Sequence, residues 1–463
     1  MLEKSFINSL RESVGRKNVL TKKEDLICYS YDPTMNHHLP EAVVIPGTIE
    51  EVALVLKLAN EAGVPVTPRG GGTNTTGASI PIRGGIVLAM HRFDRIIEID
   101  TANLCAVVEA GVITQDFQRQ VEELGLFYPP DPQGLDMSTL GGNLATNASG
   151  PRGFKYGITR DYVLGFKMAL PDGRILKVGG KTVKNVTGYD LTKLFVGSEG
   201  TFGVFTELIL RLIPLPESKR TMLVIFDDLM AAARTVSAVI QAKIIPTTLE
   251  FMDKEAMRVI EGYDPCGLPI DSAAALLIEV DGSERDVPAQ MVHIEEVCRR
   301  EGAREIRIAT TEAEAAQLWK ARKLAFAAMA KVAPTLYVED VTVPRSKIPD
   351  MVKTISELAL KYRLKICILG HTGDGNMHPL ILTDERNEEE IQRVRLAIDE
   401  IFKAALEMGG TLTGEHGIGM EKIKYMEWEL GATGVDVMRK IKQALDPNDI
   451  MNPSKVLPAE AAE

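Results

Sequence analysis

The chain has 463 residues with 64 acidic and 53 basic side chains, a formal charge of −11, and is long enough for two large lobes with a sizeable core. An acidic balance without clustered Lys and Arg argues against a phosphate-backbone surface, so no nucleic-acid partner is expected. The five cysteines, Cys28, Cys105, Cys266, Cys298 and Cys367, form no C-x-x-C pair, which argues against a Cys-type zinc or iron–sulfur site and suits a reducing compartment.

In chain order, MLEKSFINSLRESVG mixes acids and bases without a signal-type apolar core, and no run reaches the ~18 apolar residues of a membrane span. A cytoplasmic protein with no transmembrane segment is the expectation. From Glu41 a strand (Val43 to Ile45) leads to a helix with the capping-box pattern Thr48 to Glu51, closed at Gly63, and then a second strand, VPVTP. Short strands follow at IVLAM, IIEID and AVVEA, then a helix from about Thr114 to Gly125, and FKMALPDGRILKV reads as strand, Pro-Asp-Gly turn and strand. Two prolines in RLIPLPES mark a break near Leu212 to Ser218. Beyond it TMLVIF, a helix near Met230 to Ala242, LEFMD, ALLIEVDG, a helix near Ala289 to Glu301 and REIRIA predict an antiparallel sheet backed by helices. The tail from Val435 to Val456 reads as a helix and then an Asp-Pro, Asn-Pro loop.

Three glycine-rich stretches stand out. PRGGGTNTTGA (Pro68 to Ala78) follows a strand, and its converging backbone N–H groups with threonine hydroxyls and Arg69 suit a pyrophosphate. The plainer reading is a flexible turn. In DPQGLDMSTLGGNLATNASGPRGFKYG (Asp131 to Gly157) the part from Ser138 to Asn147 reads as backbone brought close to a ligand, and GSEGTFGVFTE (Gly197 to Glu207) turns sharply into a strand. No G-x-G-x-x-G follows the first strand, and GGKT at 179–182 lacks the upstream glycine of a P-loop.

The motifs PRGGGTN, GGNLATNASG, SEGTFG, GHTGDGNMHP, TGEHGIG and LDPNDIMNP occur together, and in this the chain resembles the vanillyl-alcohol oxidase family over about residues 38–456. Within it, the chain is similar to the branch of D-2-hydroxyacid dehydrogenases: glycolate oxidase FAD subunits, D-lactate dehydrogenases and D-2-hydroxyglutarate dehydrogenases. The resemblance implies an α+β fold with a PCMH-type FAD-binding domain of two α+β subdomains at 1–215. A substrate or cap domain at 216–420 would carry an antiparallel sheet covered by helices and a metal site, and a C-terminal segment at 421–463 would pack back on the FAD domain. It implies non-covalent FAD held by Arg69, Gly70, Gly71, Gly72, Thr73, Asn74, Thr76 and Gly77. Pro130, Ser138, Thr139, Gly142, Ala145 and Thr146 would line the same cofactor, with Gly150, Tyr156, Gly157, Glu199, Val204 and Asn452.

GHTGDGNMHP places His371 and His378 at the two ends of a Gly-Asp-Gly turn. Seven apart, they would face opposite ways on one straight strand, so a hairpin is needed to bring them together. Two histidines and a carboxylate make a catalytic metal set that leaves positions open for substrate, and Glu415 in TGEHGIG supplies the third ligand. Turn histidines bonded to nearby carbonyls are the plainer alternative. The resemblance implies that these three residues hold one divalent metal, zinc, manganese or iron. It also implies that His416 is the catalytic base and that Arg322 in QLWKARKLAF grips the substrate carboxylate through its planar fork. His416 as a mere brace for Glu415 is the alternative there.

Where 2-hydroxyglutarate enzymes of the branch carry polar contacts for a second carboxylate, this chain has Phe326, Val338 and Leu380. An uncompensated buried carboxylate is costly, so D-lactate is favoured, glycolate next. D-2-hydroxyglutarate dehydrogenase and a non-catalytic FAD electron-relay subunit are the rival readings, as is a carbohydrate or phenol oxidase of the same fold. With no iron–sulfur motif and no nicotinamide fingerprint, the electrons are expected to pass to a protein partner, an electron-transfer flavoprotein or an iron–sulfur subunit. Homodimer formation is left open.

Overall fold

The structure, a computed structural model, describes residues 2–34 and 36–459. Its chain divides into two compact units. The first takes the residues up to Ser149, Ile158–Leu215 and those from Glu415 on; the second takes Gly150–Gly157 and Pro216–Gly414. The divisions thus fall after Leu215 and after Gly414, where the sequence suggests 215 and 420. The short stretch 150–157 goes with the second unit because Lys155 Nζ and Tyr156 Oη both bond to Asp281, on the strand Ala274–Gly282.

In the first unit a four-stranded sheet runs Val19–Leu20, Ala42–Val44, Ile86–Ala89, Val66–Arg69, and its last three strands are parallel. The crossover helix Ile49–Ala62 starts where expected. Thr48 Oγ1 accepts from Glu51 N at 3.2 Å, a cap worth about 1 kcal/mol. Glu51 does not return the bond to Thr48, as a strict capping box would; its carboxylate accepts from Gly47 N at 2.6 Å. Gly63 closes the helix at φ +63°, the left-handed geometry that glycine adopts without a Cβ clash. Val52, Val55, Leu56 and Ala59 form the buried stripe, in one cluster with Leu88, Ile450 and Met451. The C-terminal loop joins at the sheet's open edge: Val66 N donates to Ile450 O (2.7 Å) and Asn452 N to Val66 O (2.8 Å).

The unit's second sheet has five antiparallel strands in the order Ile96–Asp100, Cys105–Glu109, Val204–Arg211, Val163–Ala169, Ile175–Gly179. Its last pair is the expected hairpin, with Gly173 at φ +83° in the Pro-Asp-Gly turn.

The second unit is built on an eight-stranded sheet whose neighbouring strands all pair antiparallel, in the order Glu305–Ile308, Ser218–Phe226, Ala274–Gly282, Thr248–Asp253, Lys365–His371, Asn376–Thr383, Thr335–Val338. The short strand Val341–Thr342 adds to Asn376–Thr383. One face buries Met252, Leu277, Leu369, Leu380 and Leu382 against the helices Lys254–Tyr263 and Glu312–Val332. Among the described residues no helix is long and apolar enough to cross a membrane.

Candidate functional site

In the first unit the strand Val66–Arg69 opens into the glycine loop. Gly72 and Gly77 stand at φ +68° and +77°, and the loop lies flush on the segment opposite. A Cβ on Gly70 would sit 2.3 Å from Thr139 Oγ1, and one on Gly71 would sit 2.3 Å from the Met137 carbonyl oxygen. Arg69 Nη1 donates to Ser79 Oγ (3.3 Å), and Thr73 is half-buried. Asn74 organises the rest: its Oδ1 accepts from Thr76 N (2.9 Å), Thr76 Oγ1 (2.7 Å) and Ala78 N (3.2 Å). Its Nδ2 donates to the His416 carbonyl at 2.9 Å. The loop therefore fixes the backbone of the expected catalytic base.

The second glycine stretch is equally knit. Thr139 caps the short helix Leu140–Thr146, its Oγ1 accepting from Gly142 N at 3.2 Å, and Thr146 Oγ1 donates back to the Gly142 carbonyl. Ser138, Thr114 and Asn143 share buried bonds of 2.9 and 2.8 Å. The Pro130 carbonyl accepts from Gln118 Nε2 (2.8 Å) and that of Ala145 from Glu199 N (2.7 Å). Val204 begins its strand inside the core, 2 % exposed. Gly150, Tyr156 and Gly157 lie in the second unit.

Glu199 takes φ +51°, a conformation that costs a residue with a Cβ about 1–2 kcal/mol. Its carboxylate accepts from Ile418 N and Gly419 N, both at 2.8 Å. Burial raises its pKa, and those two N–H groups act to hold it down. The segment after His416 is thus clamped by Glu199, and His416 Nε2 lies 3.6 Å from Glu415 Oε1. Asn452, at φ +42° and buried, donates through Nδ2 to Ala78 O (2.8 Å) and Glu199 O (2.7 Å), tying the tail to two of the glycine loops. Its Oδ1, like Thr75 Oγ1 and Ser198 Oγ, is buried with no hydrogen-bond partner among the described residues. Such orphaned atoms are rare in a finished core and call for a partner such as water, an ion or a ligand.

In the second unit, Lys365–His371 and Asn376–Thr383 form the hairpin that the histidines require. Leu369 pairs with His378, so His371, two residues beyond Leu369, projects on the same face as His378. The two imidazole centroids are 5.2 Å apart with planes at 84°, and each can offer a ring nitrogen within 4.8 Å of the other's. His371 Nδ1 lies 2.6 Å from Glu250 Oε1, and His378 Nδ1 lies 3.3 Å from the Glu339 carbonyl oxygen. Both contacts are to oxygen acceptors, so a neutral imidazole at either position would carry its proton on Nδ1 and keep the lone pair on Nε2. Glu250 Oε2 also receives Arg322 Nε at 2.6 Å. Burial pushes the Glu250 carboxyl up, but His371 and Arg322 outweigh it and hold its pKa below the usual value.

Asp340, fully buried, accepts from Asn376 Nδ2 (2.5 Å), Thr413 Oγ1 (2.5 Å) and Gly414 N (2.9 Å). This anchors the chain one residue before Glu415. The Asp374 carboxylate accepts from Asn376 N (3.2 Å) within the turn. Val338 pairs directly with Leu380, two residues along from His378 and on its face. Phe326 follows Arg322 by four residues on the helix Glu312–Val332, hence on the same helix face.

Three buried charged residues were not legible in the sequence. Glu250 lies in LEFMD, whose apolar neighbours read as core. Asp340 follows a strand as an ordinary turn acid would. Lys455, 3 % exposed, reaches Met420 Sδ at 3.6 Å and has its pKa lowered by burial to about 8, with Asp32 and Glu199 acting in the opposite sense. Only a Glu flanked by Leu and Phe in a predicted strand offered a signal, because an ionised group in a core strand needs a partner.

Residues 215–456 match the family described as FAD linked oxidases, C-terminal domain, and residues 40–179 the family described as FAD binding domain. The chain is 47% identical over 462 residues to the glycolate oxidase subunit GlcD of Bacillus subtilis (strain 168), covering 100% of this chain and 98% of the relative. It is 35% identical over 427 residues to a D-lactate dehydrogenase of Anaerostipes hadrus, covering 90% and 89%. In fold it is similar to p-cresol methylhydroxylase with substrate bound, with a TM-score of 0.78 at 19% identity over 97% of this chain and 96% of that one. The architecture is accordingly the α+β, PCMH-type one.

The first unit's loops fit FAD. Open backbone at Gly71, the side-chain-free packing of Gly70 and Gly71, and the orphaned Asn452, Thr75 and Ser198 atoms belong to one connected set of loops. Gly71→Val is expected to yield protein purified without flavin, because its Cβ would displace the loop from the Met137 carbonyl. Absorbance at 450 nm per protein measures this, and full flavin occupancy in the variant would contradict the loop assignment.

Proposed function

We propose, for a chain that belongs to the FAD-linked oxidase family, that it oxidises a small D-2-hydroxy acid, D-lactate first and glycolate next, to the 2-oxo acid. When bound, FAD supplies the two-electron acceptor for the hydrogen on C2, and a divalent metal supplies a positive centre that the substrate's hydroxyl and carboxylate can chelate. His371 and His378 are the residues we assign to that metal, offered through Nε2. Glu415, next in the chain after the Asp340-anchored Gly414, is the third. The loops around Gly70–Gly77, Ser138–Thr146 and Asn452 hold FAD non-covalently.

The observation that carries the reading is the patch on one sheet face where the two imidazoles stand edge to face and Arg322 is bonded to the carboxylate that holds His371. Arg322 grips the substrate carboxylate and so orients C2. His416 removes the hydroxyl proton, since an imidazole titrates near working pH. Proton loss from the hydroxyl and hydride loss from C2 leave the 2-oxo acid. The apolar Val338–Leu380 pair beside His378, with Phe326 one helical turn from Arg322, gives a second carboxylate no partner. This supports the monocarboxylates over 2-hydroxyglutarate. A relative named as an oxidase subunit supports a protein partner as electron acceptor.

Anaerobic flavin bleaching over a panel of 2-hydroxy acids tests this. D-lactate and glycolate are expected to bleach the flavin and L-lactate to do so far more slowly. A higher kcat/KM for D-2-hydroxyglutarate would overturn the size argument, and no bleaching by any member would overturn the substrate class.

A further inference from the structure

We propose that Glu250 is a positioning residue that couples the metal-holding histidine to the carboxylate-binding arginine, so that one buried side chain, its two oxygens divided between them, sets both the donor atom of His371 and the stance of Arg322. The inference rests on the metal and arginine assignments above and goes beyond them in giving the two one common support. Glu250 sits on the strand Thr248–Asp253, directly opposite His371 in the sheet register. Its side chain is 0 % exposed, and its two oxygens are divided, Oε1 to His371 Nδ1 and Oε2 to Arg322 Nε, both at 2.6 Å.

A carboxylate can only accept, so it compels the proton onto Nδ1 and leaves Nε2 to donate its lone pair. An anionic partner also makes the imidazole a stronger ligand than a carbonyl would; the nearest oxygen to His378 Nδ1 is the Glu339 carbonyl at 3.3 Å, with Asp340 Oδ1 farther off at 3.9 Å. On the other side, a bond at Nε fixes the plane of the guanidinium and so the direction in which its fork opens. Leu249, Phe251 and Met252, the strand neighbours, are all buried apolar residues. An ionised group among them is costly unless paired, and here the pairing falls on two residues of the proposed site.

The test uses the flavin-loaded full chain with Glu250→Gln and Glu250→Asp. Metal per flavin and metal loss to a competing chelator are measured, with KM and kcat for D-lactate. Glu250→Gln is expected to keep its flavin spectrum, to release metal about 10–100-fold more readily, the range seen when an outer partner of a ligand is removed, and to show a raised KM. Saturating metal should restore kcat and leave KM high, because the arginine has still lost the charged partner at its Nε; a purely structural glutamate would not split the two. Wild-type metal retention together with a wild-type KM overturns the proposal while leaving the metal site standing. A wild-type protein that binds no metal overturns the underlying assignment and this proposal with it. If the Gln variant loses flavin, Glu250→Asp decides: its anion is drawn back by one methylene, and weaker metal binding with flavin retained is expected, while unchanged binding overturns the idea.

Discussion

His378→Ala is expected to keep the flavin spectrum of the wild type while losing bound metal and all measurable turnover with D-lactate. The reason is that the two sets of residues belong to different units. His378 belongs to a strand of the second unit's sheet, and the glycine loops assigned to FAD that surround Asn74, Thr139 and Asn452 are in the first. Loss of a direct ligand should weaken metal binding by more than the 10–100-fold typical of an outer partner. Because His378 is buried, truncation leaves a cavity of the kind that costs about 2–5 kcal/mol. His378→Gln, closer in volume, is the companion that separates lost ligation from lost packing. Metal analysis per flavin, with chelator treatment and add-back of zinc, manganese or iron to the wild type, reads the result. Full-speed flavin reduction by the metal-free wild type would make these turn histidines structural.

His416→Ala is the second large effect: flavin and metal are expected to stay, and the rate of flavin reduction to fall on the order of 10²–10⁴-fold, the contribution of a positioned acid–base group. The side chain can be removed without unpicking its surroundings, because the backbone is held independently. Asn74 Nδ2 bonds the His416 carbonyl, and Glu199 bonds the next amides at Ile418 and Gly419. Rapid-mixing reduction at saturating D-lactate measures the step directly. A variant that lost its metal along with its rate would instead make His416 the brace of Glu415, the alternative noted from the sequence.

Local chemistry set much of this in advance. Helix punctuation by Thr48 and Gly63, the Pro-Asp-Gly hairpin, the glycine loop after a strand, and the need for a hairpin between His371 and His378 all follow from residues within a few positions of one another, where backbone sterics and capping act. The alternation that puts both imidazoles on one face follows from the strand period once the turn is known. Tertiary structure decided the remainder. Glu250 lies 121 residues from its partner His371, Glu199 lies 219 and 220 from the amides it clamps, and Asn452 lies 374 and 253 from the carbonyls its side chain bonds. No local propensity encodes such pairings. A buried carboxylate looks in sequence like any other acid, and only the packed sheet, by removing water and offering His371 and Arg322 in its place, determines that Glu250 is paired with both.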